Sequence, residues 1–152
     1  MLRTQITEAM KDALRAKDER TLATTRLMIS RMRELDIAAR PKGNAEGISD
    51  AEILTMMQGM IKQRRESIAM YEKGGRADLV KQETEEIAVI ERFMPKQMDE
   101  AAIKAAIEKA VAATGAAGIK DMGKVMGELK KAHAGQMDFS QAGALVKARL
   151  AG

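Results

Sequence analysis

The chain has 152 residues and a net charge of +4; 45% of its residues are hydrophobic, 2% are aromatic and none is cysteine. Without cysteine, the protein can form no disulfide, thiolate nucleophile or Cys-ligated zinc site. No apolar run approaches the ~20 residues of a membrane span, and no signal-peptide apolar region follows Met1. We therefore expect a cytoplasmic protein without a membrane partner.

The first forty residues predict amphipathic helices. Apolar residues at three- and four-residue spacing, beginning with Ile6 and Met10, indicate a helix over residues 2–16. Asp18 can cap a second helix over residues 19–39. Because no glycine or proline separates the two segments, one long bent helix is an alternative.

Three arginines, Arg26, Arg33 and Arg40, recur every seven residues along one edge of the second predicted helix. Arginines at this spacing usually lie along a core and make ion pairs. The other interpretation is a stripe that faces phosphate. We treat the three residues as a secondary basic stripe.

The middle of the chain predicts a helical hairpin. Turn-forming residues over 41–47 predict an exposed, mobile loop, and Ser49 followed by Glu52 forms a capping-box pattern that opens the third helix. Gly74-Gly75 ends this helix, and so short a connection makes the third and fourth helices antiparallel neighbours.

Pro95 marks a predicted domain boundary. Proline lacks the amide donor that a helix needs and moves the preceding residue out of helical geometry. We therefore predict an all-α protein, with an N-terminal four-helix hairpin array or bundle over residues 1–95 and a small three-helix tail domain over residues 96–152. The tail has 9 basic and 6 acidic residues and so carries +3 of the net charge.

A helix predicted over residues 119–131 of the tail contains two glycines four residues apart. Each costs roughly 1 kcal/mol relative to alanine, so Gly123 and Gly127 need a reason to be there. Close approach of another helix backbone is one reason, and close approach of a nucleic-acid backbone is another. Asp99 can cap the helix before this one, and Gly135 supplies the stop after it.

Two blocks of the sequence resemble the GatB/YqeY family, a helical module found alone in small bacterial proteins and at the C-terminus of the B subunit of glutamine-dependent tRNA amidotransferase. The first block comprises Gln63-Arg64-Arg65-Glu66-Ser67, Tyr71-Glu72, Gly75-Arg76, Asp78-Leu79, Glu83, Glu86 and Met94-Pro95-Lys96-Gln97. The second runs from Asp121-Met122-Gly123-Lys124-Val125-Met126-Gly127 through Gly135 to Leu150. The chain departs from the family's tail at Gln136-Met137-Asp138, where a basic and then a small polar residue are common.

The resemblance implies a role beside tRNA. In the amidotransferase, the tail meets the elbow of the tRNA while a different domain performs the phosphorylation and the amide transfer. The family is associated with translation and with carbon-nitrogen ligase activity that uses glutamine as the amido-nitrogen donor. The implied partners are tRNA and components of the amidotransferase or of the translation machinery, with no cofactor.

The candidate RNA-binding residues lie in or beside the second block: Lys120, Lys124, Lys130, Lys131, Gly123, Gly127 and Gly135. On a helical wheel, Lys120, Lys124 and Lys131 share a side that the apolar residues leave free. They are the predicted phosphate contacts.

No catalytic centre is predicted. The sequence has no nucleophile elbow and no Walker loop, and its only histidine, His133, is expected in the last turn of a helix. Carboxylate metal sites in helical bundles need Glu-x-x-His pairs, so Glu83, Glu85 and Glu86 are interpreted as surface or ion-pairing residues, and no metal is expected.

Two functions from different classes remain open. The protein is either an accessory protein that binds tRNA or another structured RNA, or a helical adaptor whose methionine-rich surface docks a protein partner. Salt separates them, because phosphate contacts weaken steeply with ionic strength.

Overall fold

The computed structural model describes the whole chain, Met1–Gly152, and is built from α-helices and short 3-10 turns without any strand. The seven α-helices are α1 (Leu2–Ala16), α2 (Glu19–Ala39), α3 (Asp50–Lys73), α4 (Ala77–Glu91), α5 (Glu100–Thr114), α6 (Met122–Ala132) and α7 (Phe139–Ala151). The predicted all-α class is confirmed. The chain divides into two compact units, residues 1–94 and 95–152.

The first two helices are separate. Lys17 adopts a left-handed conformation with φ 57° and ψ 32°, which ends α1. The Asp18 carboxylate then accepts a hydrogen bond from the amide of Thr21 (3.1 Å) and so caps α2. The left-handed residue Lys17 and the Asp18 cap thus separate the two helices, although no glycine or proline stands between them.

In the first unit, α1 packs on α2, α3 packs on α4, and α2 joins the two pairs by packing on α4. The fully buried side chains at the centre of this unit are aliphatic and methionine residues from all four helices: Ile6, Met28, Met32, Ile53, Met57 and Ile90. Thr24 and Thr25 are also completely buried. Their hydroxyls are satisfied because they donate to the carbonyls of Arg20 and Thr21, one turn earlier.

The loop between α2 and α3 is exposed, as predicted, and several hydrogen bonds hold it. Its start forms a 3-10 turn over Arg40–Lys42. The Asn44 side chain exchanges hydrogen bonds with the backbone of Gly47. Gly47 has φ 103°, and a Cβ there would lie 2.9 Å from the Asp36 carboxylate, so the position requires glycine.

The fourth helix ends before Pro95. Its last residue is Glu91, although Met94 continues the apolar spacing of Ile87 and Ile90. The amides of Arg92, Phe93 and Met94 instead donate three residues back, in the tight turn that often closes a helix. The α-helical hydrogen bonding of α4 therefore ends about one turn before Pro95.

In the second unit, α6 packs on both α5 and α7. The deepest side chains of its core are Ile103, Ile107, Val125, Leu129, Met137 and Val146. Asp99 caps α5 by accepting from the amide of Ala102 (2.7 Å). Gly143 faces α6, and a Cβ there would make ordinary van der Waals contact with the methyl of Met122 at 3.7 Å.

The helix predicted from Ile119 begins at Met122 instead. Residues Ile119–Asp121 form a separate 3-10 turn, in which the amide of Asp121 donates to the carbonyl of Gly118 (2.9 Å). The Asp121 carboxylate folds back to accept from the amide of Ala117 (3.0 Å). Because these short bonds favour the tighter turn, Lys120 lies just before α6 rather than on it.

The segment that departs from the family's tail, residues 136–138, connects α6 to α7. The carbonyl of Gln136 accepts from the amide of Met98, and Met137 is 1% exposed within the core. Asp138 caps α7 by accepting from the amide of Ser140 (2.8 Å). Each of the three residues thus has a role in the fold.

Candidate nucleic-acid interface

A basic face runs along α6 and the turn before it. Lys124, Lys130 and Lys131 are exposed on the helix, and Lys120 is exposed in the 3-10 turn. No carboxylate forms an ion pair with any of the four. We call these four lysines, with Gly123 and Gly127, the lysine face.

The apolar residues of α6 hold this face outward. Val125 and Leu129 are 0% and 1% exposed and pack into the core of the second unit. At 100° per residue, the lysines and glycines of α6 lie on the opposite side of the helix. Lys124 and Lys131 are seven residues apart, which places them roughly 10 Å apart along the axis.

The two glycines of the lysine face are uncovered. A Cβ built on Gly123 or Gly127 would meet no atom within 4 Å, apart from its own local backbone. The interpretation that another helix of this chain packs closely against them is therefore wrong. The backbone of α6 is accessible along this side, between unpaired lysines.

Gly135 does not belong to this surface. It is buried, with φ 74°, in the turn after α6. Its carbonyl accepts a hydrogen bond from the Gln97 side chain at 2.7 Å. Six of the seven candidate RNA-binding residues are thus exposed on α6 or in the turn just before it, whereas Gly135 forms a buried turn.

Two carboxylates lie near the lysine face: Asp121 before α6, and Glu128 on α6, four residues after Lys124 and three before Lys131. The hydrogen bond from the Ala117 amide lowers the pKa of Asp121, and the positive charges of Lys124 and Lys120 lower it further. Asp121 is therefore ionised at neutral pH, and it offsets part of the positive potential at the N-terminal end of α6.

The secondary basic stripe is divided between a helix and a turn. Arg26 and Arg33 lie exposed on α2, whereas Arg40 begins the 3-10 turn after it. None of the three makes an ion pair, although Arg31 nearby pairs with Glu34 at 2.7 Å. The ion pairs expected of arginines along a core are thus missing, and the phosphate-facing interpretation stays a prediction.

Glu83, Glu85 and Glu86 form ion pairs, as one of the two sequence interpretations expected, and they belong to a nearly buried ionic cluster whose arginine partners the sequence did not predict. Arg64 Nε contacts Glu86 at 3.0 Å and Glu83 at 3.9 Å, and Arg20 contacts Glu85 at 3.1 Å. Burial raises the pKa of Glu83, the charge of Glu86 raises it further, and Arg64 opposes the shift. The available signal was the position of Arg64 within an apolar stripe, where an arginine needs a buried acidic partner.

This cluster is an ion-pair network that joins α4 to both α2 and α3. His133 follows the last residue of α6, and its Nδ1 lies 2.8 Å from the side-chain oxygen of Gln136. No group of three or more His, Asp and Glu side chains is placed to hold a metal ion. None of the helices has the length and apolarity required to cross a membrane.

Comparison with known proteins places the chain in a family context. The family model described as Yqey-like protein matches residues 3–150, which includes both compact units. A search of curated proteins found no match.

Proposed function

This chain belongs to the family of YqeY-like proteins, and we propose that it is an accessory protein that binds tRNA or another structured RNA through the lysine face of α6. In this proposal the lysines contact phosphates, and the bare helix backbone at Gly123 and Gly127 permits close approach of the RNA strand. The protein contributes binding, and no catalytic step is assigned to it.

The observation that supports this proposal is the pairing of uncovered glycines with unpaired lysines. Gly127 lies inside α6, where glycine costs roughly 1 kcal/mol relative to alanine, and no packing within the chain accounts for that cost; Gly123 lies in the first turn of α6 and is uncovered as well. A ligand that must come close to the helix accounts for both the missing side chains and the free charges.

The chemistry of the face favours recognition of phosphate and shape. No aromatic side chain lies on α6, so bases have no stacking platform there. Structured RNA presents a dense array of phosphates and 2′-hydroxyls that lysines and backbone groups can contact. We therefore expect little sequence specificity and a strong dependence on salt.

The structure gives less support to a methionine-rich docking surface. Of the thirteen methionines, Met1 and Met70 are exposed, at 85% and 73%, and the other eleven are buried or half-buried. Methionine in this chain thus serves chiefly as core filler, in place of the missing aromatic residues.

We propose further that residues 1–95, a four-helix hairpin array, and residues 96–152, a three-helix tail, act as separate domains. Each has its own apolar core, which supports independent folding. In this proposal the tail provides the RNA contact, and the first domain is free to bind components of the amidotransferase or of the translation machinery in the cytoplasm.

The test compares two double variants that make the same change in charge. Lys124→Glu with Lys131→Glu alters the lysine face, whereas Lys109→Glu with Lys147→Glu alters other exposed, unpaired lysines of the same unit. Binding of labelled tRNA is measured by fluorescence anisotropy over a series of salt concentrations. We expect the first variant to bind at least about fivefold more weakly, with a salt slope reduced by about 2.

Folding of the first variant is expected to change little, because its substitutions have opposing effects. Glutamate is favourable in the first turn of α6 at position 124 and unfavourable in the last turn at position 131. Equal losses of tRNA affinity in both double variants, or no tRNA binding by the native protein at low salt, would overturn the proposal.

A further inference from the structure

A groove between α1 and α2 has no assigned occupant. It has a volume of about 340 Å³ and is lined by Thr7, Met10, Arg26, Ile29, Ser30 and Arg33. α1 packs against α2 along this groove, so its walls are two helices of the same compact unit. Side-chain ridges of a third helix can pack into a groove between two helices.

The outer wall of the groove carries uncompensated positive charge. Arg26 and Arg33 are exposed, and neither makes an ion pair or a side-chain hydrogen bond. They lie seven residues apart on α2, roughly 10 Å along its axis. This spacing matches carboxylates two turns apart on an opposing helix.

The floor of the groove is apolar, and exposed aliphatic residues extend it. Met10 and Ile29 are half-buried between the two helices. Leu14 is 56% exposed and lies on the same side of α1 as Thr7 and Met10. Ile37 is 59% exposed and lies on the same side of α2 as Arg33. Apolar contact is therefore available along several turns.

We propose that this groove binds an acidic amphipathic helix of a partner protein. Apolar side chains at positions i, i+3 or i+4, and i+7 of that helix would pack on Met10, Ile29 and Leu14. Carboxylates along its edge would pair with Arg26 and Arg33. The arginines steer and orient the helix, while the apolar floor provides the buried area.

The mixed chemistry distinguishes this occupant from others. An RNA backbone would satisfy the arginines but leave Met10, Ile29 and Leu14 without apolar partners, and no aromatic residue is present there for a base. A second copy of this groove would bring the same arginines against their like charges. The inference goes beyond the proposed RNA binding, since it concerns a different unit and requires no RNA.

The experiment uses the full-length protein and synthetic peptides. The probe is a helical peptide with leucines at i, i+3, i+4 and i+7 and glutamates seven residues apart, and its control has the same composition in scrambled order. Isothermal titration calorimetry should detect the probe, with affinity at least about tenfold above the scrambled peptide. Arg26→Glu with Arg33→Glu should weaken binding by about tenfold or more.

Two further measurements exclude general effects of charge. Lys62→Glu with Lys73→Glu, an equal charge change at exposed and unpaired lysines of α3, should leave probe binding nearly unchanged. A peptide with lysine in place of glutamate should bind the Arg26→Glu, Arg33→Glu variant more tightly than it binds the native protein. Leu14→Gln should weaken probe binding even at high salt, since that contact is apolar.

Several results would overturn the inference. These are equal binding of the ordered and scrambled peptides, or no binding of the ordered peptide at millimolar concentration. A concentration-dependent dimer that Arg26→Glu with Arg33→Glu abolishes would assign the groove to self-association. A loss of tRNA affinity in that variant as large as in Lys124→Glu with Lys131→Glu would assign it to RNA.

Discussion

Replacement of Glu86 by glutamine tests the nearly buried ionic cluster. The carboxylate accepts from Arg64 Nε at 3.0 Å, and the two side chains are only 10% and 11% exposed. Breaking a buried pair by neutralising one partner costs about 3–5 kcal/mol, because the remaining charge stays out of water. Glu83 lies 3.9 Å from the same guanidinium and still compensates it in part, so we expect a loss near 3 kcal/mol.

Glu85→Gln, one residue earlier on α4, is the matched control. Glu85 pairs with Arg20 at 3.1 Å, but these side chains are 42% and 38% exposed. Such a surface pair contributes at most about 1 kcal/mol. The two variants remove the same charge from the same helix and differ chiefly in burial.

Urea unfolding followed by circular dichroism measures the difference. With a dependence of 1–3 kcal/mol per molar urea, a loss of about 3 kcal/mol lowers the midpoint by about 1–3 M. Glu85→Gln should lower it by at most about a third as much. If Glu86→Gln shifts the midpoint no more than Glu85→Gln does, burial is not what makes this pair important and our reasoning fails.

Four other expectations follow from the structure. Gly127→Ala should raise the free energy of unfolding of the tail by roughly 0.5–1 kcal/mol in urea titrations, because its methyl meets open space; a loss of stability would contradict the uncovered face. Asp36→Asn should cost about 2 kcal/mol at neutral pH by removing charged hydrogen bonds from Arg3. The difference in the free energy of unfolding between the native protein and Asp36→Asn should shrink as pH falls below 3.8 towards the lowered pKa of Asp36. A difference that does not depend on pH would refute this expectation. Because its pKa is raised in the folded protein, Glu83 opposes folding once pH exceeds 4.5. The urea midpoint of the Glu83→Gln variant, relative to that of the native protein, should therefore rise between pH 4 and 7. A difference in midpoint that does not change with pH would count against this expectation. Limited proteolysis should cut near residues 94–99 and within residues 41–47 and leave fragment 1–95 helical, whereas resistance at both places would contradict the domain proposal.

The sequence predicted features of this protein that depend on local chemistry. The Ser49 and Glu52 capping box is present with both of its hydrogen bonds. Gly75 adopts φ 69° where the glycine pair predicted the end of a helix. Caps and turns are decided by a few adjacent residues, so they can be read without knowledge of the tertiary structure.

Features that depend on contacts between distant residues could not be predicted in the same way. Arg64 and Glu86 are 22 residues apart, and only the packing of α3 on α4 makes them partners. Leu14 fits the apolar periodicity of α1, yet it is exposed. Periodicity shows which side of a helix is apolar, but it does not show how far a neighbouring helix covers that side. The sequence likewise could not show that Gly123 and Gly127 are uncovered, because this depends on how the other helices of the unit pack around α6.

The carboxylate of Asp36 has a consequence for the order of folding. It accepts from the Arg3 side chain, 33 residues earlier in the chain, and from the amide of Ile48, 12 residues later. We expect the α1–α2 hairpin to form first, from contacts close in sequence, and the Asp36–Arg3 pair then to help hold the loop around Gly47. The loop between α2 and α3 thus depends for its conformation on α1, at the opposite end of the hairpin sequence, although its turn residues alone would leave it mobile. We therefore expect substitutions in the first turn of α1 to alter the conformation at the start of α3.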